Sequence, residues 1–164
     1  MKVLVFGPSG AGKTYIAHAL HHVGIHAFDG DEIEGLSGWY DKYGRRVMPE
    51  TAKEALENQY SFVWKKKFLA AFLSKFSEVY IFGGSGNLFD MFDLFDRVYF
   101  LKVEPQLQRE RILHLKREKP LMDIDEHGIV IWGDWLEREA RKRQIPFLDA
   151  TKNPMEIFEI ISRQ

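Results

Sequence analysis

The chain has 164 residues, 45% hydrophobic and 29% charged, an ordinary composition for one well-filled core and hence one domain. Lysine and arginine number 23 against 24 acidic residues, so the formal charge is −1 and no global field draws in nucleic acid or an anionic membrane. Cysteine is absent, which excludes disulfides and zinc–thiolate sites; the N-terminal apolar run is too short for a signal peptide or a bilayer span, so the cytoplasm is the expected location.

In chain order, the first apolar run, residues 3–6, reads as a buried strand and breaks into "GPSGAGKT", after which residues 14–22 carry a helical pattern. A second strand is expected at 25–28, a long helical segment at 49–76, and a third strand at 79–82 that ends in the glycine-rich "IFGGSGN". A fourth strand follows at 98–103, then helices at 106–119 and 132–142, a weaker edge strand at 145–148 beside Pro146, and a last helix at 155–162. Continuous apolar strands alternating with helices predict an α/β fold whose parallel sheet is covered on both faces. Residues 35–76 and 114–134 exceed a minimal sheet-and-helix core and are expected as insertions, the first binding an acceptor and the second acting as a lid. "KKK" at 65–67 reads as a solvated helix face, and most of the 13 phenylalanines as core.

Gly7, Gly12, Lys13 and Thr14 have phosphate-loop spacing, with a strand before and an amphipathic helix after. Glycines let successive backbone N–H groups turn inward, and the following helix adds its positive end to the same point. Gly7, Ser9, Gly10, Ala11, Gly12, Lys13, Thr14 and Tyr15 are therefore expected to hold a nucleotide, Lys13 bridging its outer phosphates and Thr14 ligating Mg²⁺. After the second strand, "FDGDEIE" spaces Asp29 and Asp31 so that an extended chain points both to one side. Asp29 is expected to hold the metal through water and Asp31 to orient or deprotonate an acceptor hydroxyl, although Asp31 also fits a helix N-cap. Gly83, Gly84, Ser85 and Asn87 are expected on the acceptor side, where the glycines allow close approach and the polar side chains supply donors.

These motifs resemble the nucleoside-monophosphate-kinase-like branch of P-loop kinases, and in detail the shikimate kinase pattern. Asp29, Asp31, Ile33 and Glu34 match that family's Asp-x-Asp followed by Ile-Glu; "KPLM", with Lys119 in the arginine position, echoes its lid motif. The resemblance implies a three-layer α/β/α fold around a five-stranded parallel sheet of order 2-3-1-4-5, with ATP and Mg²⁺ as cofactors and a small hydroxyl acceptor. It also implies that Asn153 and Pro154 border the adenine with Arg111 opposite. The shikimate-type arginine stretch after Ile-Glu is missing, and so is the arginine that adenylate-kinase-type enzymes place after the third strand; Arg45 or Arg46 are the nearby substitutes.

Among the basic residues around the lid, Arg117 is expected to stabilise the transferring phosphoryl group and Arg138 to touch the acceptor. Trp39, Tyr40 and Tyr43 form either an acceptor platform or a small core of their own. His18 and His22 share a helix face at i and i+4, the spacing of a metal pair, but read as surface residues. A kinase acting on a small hydroxyl compound is the leading reading, and a nucleoside or nucleoside monophosphate kinase is the alternative. A GTPase-like switch is weaker: "DEHG" at 125–128 follows no strand and the chain has no Asn-Lys-x-Asp. Partners are expected to be ATP and the acceptor alone, with no nucleic acid or membrane, on a monomer or weak dimer.

Overall fold

A computed structural model describes residues 1–118 and 126–163, with the side chains of residue 52 and of residues 116–118, 126 and 127 outside the description. Five parallel strands form the main sheet: β1 (Lys2–Phe6), β2 (Ala27–Asp29), β6 (Val79–Phe82), β7 (Arg97–Lys102) and β8 (Phe147–Asp149). They lie in the order β2-β6-β1-β7-β8, which is the expected 2-3-1-4-5 once the strands of this sheet alone are counted. Parallel pairing runs Val3 to Tyr80 on one side of β1 and Leu4 to Val98 on the other.

The apolar run of β1 is continuous because both faces of the sheet are covered. Val3 and Val5 join a core with Ile16, Leu20, Ile157 and Ile161, under helices α1 (Lys13–His22) and α6 (Pro154–Ser162). Leu4 and Phe6 point the other way, joining Leu69, Leu88, Met91 and Leu136 under α3 (Lys66–Leu73), a 3₁₀ stretch at Leu88–Leu94 and α5 (Glu126–Lys142). A further helix, α4 (Pro105–Glu118), follows β7.

The helix expected over 49–76 is not continuous. It splits into α2 (Ala52–Glu57), a strand β5 (Ser61–Trp64) and α3. Gln59 adopts a left-handed conformation with φ of 57°, which ends the helix, and the following "SFVW" is β-branched and aromatic. β5 pairs antiparallel with β3 (Ser37–Tyr40), which also pairs with β4 (Arg46–Val47), so that a second, three-stranded sheet stands beside the first. Asp41 shapes the β3–β4 turn by accepting from the backbone N–H groups of Tyr43 and Arg45, both at 2.9 Å, and these bonds, that from Arg45 foremost, hold its carboxyl below the usual range. No helix among the described residues is long and apolar enough to cross a membrane.

Candidate active site

The phosphate loop leaves β1 at Gly7, where a Cβ would stand 2.6 Å from the Leu101 carbonyl oxygen, so the loop presses directly on β7. Gly10 and Gly12 take φ of 82° and 95°, values that suit glycine, and Gly12 is the N-cap of α1. Lys13 folds back over the loop, its Nζ donating to the carbonyls of Gly7 at 2.7 Å and Pro8 at 2.8 Å. Burial pulls its pKa down to about 8 against the opposing charges of Asp31 and Asp29. α4 braces the loop from outside: Gln108 Nε2 donates to the Ser9 carbonyl at 2.9 Å, and Arg111 Nη1 donates to the carbonyls of Gly10 and Ala11.

Asp29, the last residue of β2, is 6% exposed. One carboxylate oxygen accepts from Thr14 Oγ1 at 2.5 Å and the other from the Asp31 N–H at 2.9 Å. Asp29, and not Asp31, caps the short 3₁₀ turn Gly30–Glu32, so Asp31 rides on a turn and not on an extended strand. Its carboxyl keeps contact with solvent, yet the walls of the cleft crowd it: burial first, then the charge of Asp29, push its pKa up, while Lys13 pulls it down. The Thr14 hydroxyl and Asp29 carboxylate are hard oxygen donors already in contact, a donor set that fits Mg²⁺.

Two cavities adjoin the phosphate loop, a third neighbours the first of these, and a separate one of about 430 Å³ reaches Asp29 from among His18, Phe28, Glu32 and Phe72. A small one of about 120 Å³ is bordered by Ser9, Lys13, Asp31, Gly84, Ser85 and Trp132. A second of about 610 Å³ lies outside α1 and brings together Gly12, Tyr15, Arg111, Asn153 and Pro154. Arg111 Nη2 also donates to the Ala150 carbonyl at 3.2 Å, tying that wall to the end of β8. The third, about 410 Å³, is an aromatic groove between the two sheets, walled by Trp39, Tyr60, Phe62 and Trp132 and floored by Gly84, Ser85 and Gly86. Gly84, Ser85 and Trp132 border both the small cavity and the groove, so the two are neighbours with a shared wall.

No protein-family model matches the sequence, and no curated protein matches it either. Among solved structures, the chain resembles a deoxyadenosine kinase from M. mycoides, described with the products dCMP and a flexible dCDP bound, at a TM-score of 0.52. The two are 18% identical in sequence, and the match covers 99% of this chain and 96% of that one. The chain has the fold of a P-loop kinase.

Within that fold, Ala11, Gly12, Tyr15, Arg111, Asn153 and Pro154, all expected to hold nucleotide, border the cavity outside α1, whereas Gly7, Ser9 and Lys13 border the small one; Asn153 uses its side chain to cap α6, in a reciprocal box with Glu156. On the other side, Gly84 and Ser85 border the small cavity, while Asn87 stands behind it, its amide bonded to both backbone polar groups of Trp64. Arg138 is exposed and lines none of these cavities; two positions beyond Leu136 on α5, it faces away from the site. The side chain of Arg117 lies outside the described residues, as do Lys119 and the rest of 119–125. Of the aromatic trio, Trp39 faces the groove against Phe62, with ring centres 5.3 Å apart, whereas Tyr43 is exposed beneath Lys42 and Arg45. His18 pairs with Glu32 at 2.6 Å, and among the described residues no group of three or more His, Asp or Glu could hold a metal. Sequence reasoning missed Trp64, Gln108 and Trp132, all of which shape the site. For Trp64 there was a signal: a tryptophan closing the short apolar run Phe62–Trp64 just before three lysines, in a chain with glycines at the ends of two strands.

Proposed function

We propose that the chain is a Mg²⁺-dependent phosphotransferase that moves the γ-phosphoryl group of ATP to the hydroxyl of a small, uncharged, ring-bearing acceptor, with a nucleoside as the best fit. The observation that carries this reading is that the small cavity between Lys13 and Asp31 shares Gly84, Ser85 and Trp132 with the aromatic groove beside it. ATP belongs on the α1 side, with its base beside Tyr15 and Arg111 and its phosphates over the loop. There the Lys13 ammonium exchanges the carbonyls of Gly7 and Pro8 for phosphate oxygens. When bound, Mg²⁺ on Thr14 and Asp29 supplies charge neutralisation for the phosphates. Asp31 accepts the hydroxyl proton as the acceptor oxygen bonds to the γ-phosphorus and the bond to the β-phosphate oxygen breaks, releasing ADP.

Two features favour a nucleoside over a shikimate-like acid or a nucleoside monophosphate. The groove is lined, among the described residues, by aromatic rings, serines and glycines with no cation, and its inner end faces the Asp31 carboxylate. An anionic acceptor finds no cationic partner along the groove, the Lys13 ammonium beside Asp31 being taken by the ATP phosphates, whereas a base can stack between Trp39 and Trp132. The deoxyadenosine kinase likeness points the same way. The test is ADP formation from Mg-ATP with nucleosides, nucleoside monophosphates, shikimate and gluconate, each against the rate without acceptor. Strong stimulation by a nucleoside is expected; stimulation by shikimate or a monophosphate alone overturns the preference, and stimulation by none overturns the transfer reading for these acceptors.

A further inference from the structure

We propose that Trp64 is a positioning residue, its indole setting the place of the Asp31 turn relative to the acceptor groove; the catalytic part of this proposal rests on the phosphotransfer reading above. The ring is 1% exposed and seated on two glycines that end neighbouring strands of the main sheet. A Cβ on Gly30, next to Asp31, would stand 2.3 Å from Trp64 Cζ2, and one on Gly83, next to the groove floor, 3.0 Å from the same atom. The absence of side chains at residues 30 and 83 is thus what admits the ring.

Trp64 belongs to β5, whose Ser61 and Phe62 line the groove. Its backbone is fastened on both sides, the N–H donating to Asn87 Oδ1 at 2.9 Å and the carbonyl accepting from Asn87 Nδ2 at 3.0 Å. Ser85, on the groove floor, donates to the same Asn87 oxygen, and the Gly86 N–H donates to the Phe62 carbonyl at 2.7 Å. Groove wall, groove floor and carboxylate turn therefore meet at one residue, its backbone tied to the floor and its ring to Gly30 and Gly83, and the second sheet cannot slide without moving Gly30. The indole Nε1–H is buried without a hydrogen-bond partner, a penalty that a phenylalanine or leucine serving only as core would avoid. What the indole supplies and those residues lack is the breadth to reach both glycines.

The test compares wild type, Trp64→Phe and Trp64→Leu in the full chain by amide hydrogen exchange, Mg-ADP binding and transfer kinetics. In Trp64→Leu, exchange is expected to quicken at least tenfold at the Asp31 amide, bonded to Asp29, and at the Gly86 amide, while β1 and α1 keep wild-type protection and Mg-ADP affinity stays within about twofold. Transfer kcat should fall at least tenfold with acceptor KM changed less than threefold, and Trp64→Phe should recover part of both effects. Unchanged exchange at Asp31 and Gly86, or loss of protection spread evenly through β1 and α1, overturns the proposal; if Trp64→Leu does not fold, the same comparison is read from Trp64→Phe. A wild type that transfers to no acceptor defeats the catalytic reading alone, because the exchange pattern still decides whether Trp64 holds the turn.

Discussion

Lys13 and Asp31 border one cavity, yet their chemistry separates them. Lys13 is held on the loop by two carbonyls and can trade both for phosphate oxygens, so its loss should be felt in nucleotide binding. Hydrogen bonds to a charged group contribute about 1.5–3 kcal/mol, and Lys13→Ala should weaken Mg-ADP about tenfold or more by calorimetry while abolishing transfer. Among the described residues, the Asp31 carboxylate makes no hydrogen bond to the loop or to Thr14; its backbone N–H bonds to Asp29. Asp31→Asn should therefore leave Mg-ADP affinity within about twofold and lower transfer by about 100-fold or more, the range of a general base. Equal losses of nucleotide affinity in the two variants would remove Asp31 from the acceptor side. The phosphate loop was legible because its function needs a fixed spacing of residue types within one segment. Asn87 was not, because its amide serves Trp64, a partner 23 residues away whose approach no local pattern signals.

At the scale of elements, strands of the main sheet were readable from their continuous apolar runs, since burial on both faces leaves few polar choices. Residues 61–64 were hidden because four residues between two helical patterns are too few to show a period, and the break at Gln59 depends on a left-handed backbone in a residue that signals none. What holds that strand in place is a side chain outside it. Asn87→Ala should leave the Trp64 N–H and carbonyl without side-chain partners, destabilising the fold by about 1–3 kcal/mol. Urea denaturation should show a lower midpoint with an unchanged slope, since the same surface is exposed on unfolding. A similar logic applies to α6, where Asn153 and Glu156 form a capping box: Asn153→Ala should cost about 0.5–2 kcal/mol in the same measurement.

Across the whole molecule, the sheet order and the gathering of Tyr15, Arg111, Asn153 and Pro154 could be anticipated, while the meeting of α5 with the phosphate loop was expected only as a lid over 114–134, with neither Trp132 nor Gly133 singled out. That meeting joins residues more than a hundred positions apart, and its only trace in the sequence is a glycine inside a helix. A Cβ on Gly133 would stand 3.0 Å from Pro8 Cβ, so α5 lies against the loop with no room for a methyl group. Trp132, the preceding residue, borders both the small cavity and the aromatic groove. Gly133→Ala must push α5 outward by a few tenths of an ångström and carry Trp132 with it. The helix itself gains from the change, because glycine in a helix interior is less favourable than alanine by about 0.5–1 kcal/mol. That gain offsets the crowding, so the melting temperature should move little, whereas the groove widens and acceptor KM should rise about threefold or more. Mg-ADP binding, on the far side of the loop, should stay at the wild-type value. A drop in stability with unchanged acceptor KM would show that the glycine serves packing alone and that Trp132 does not bound the acceptor.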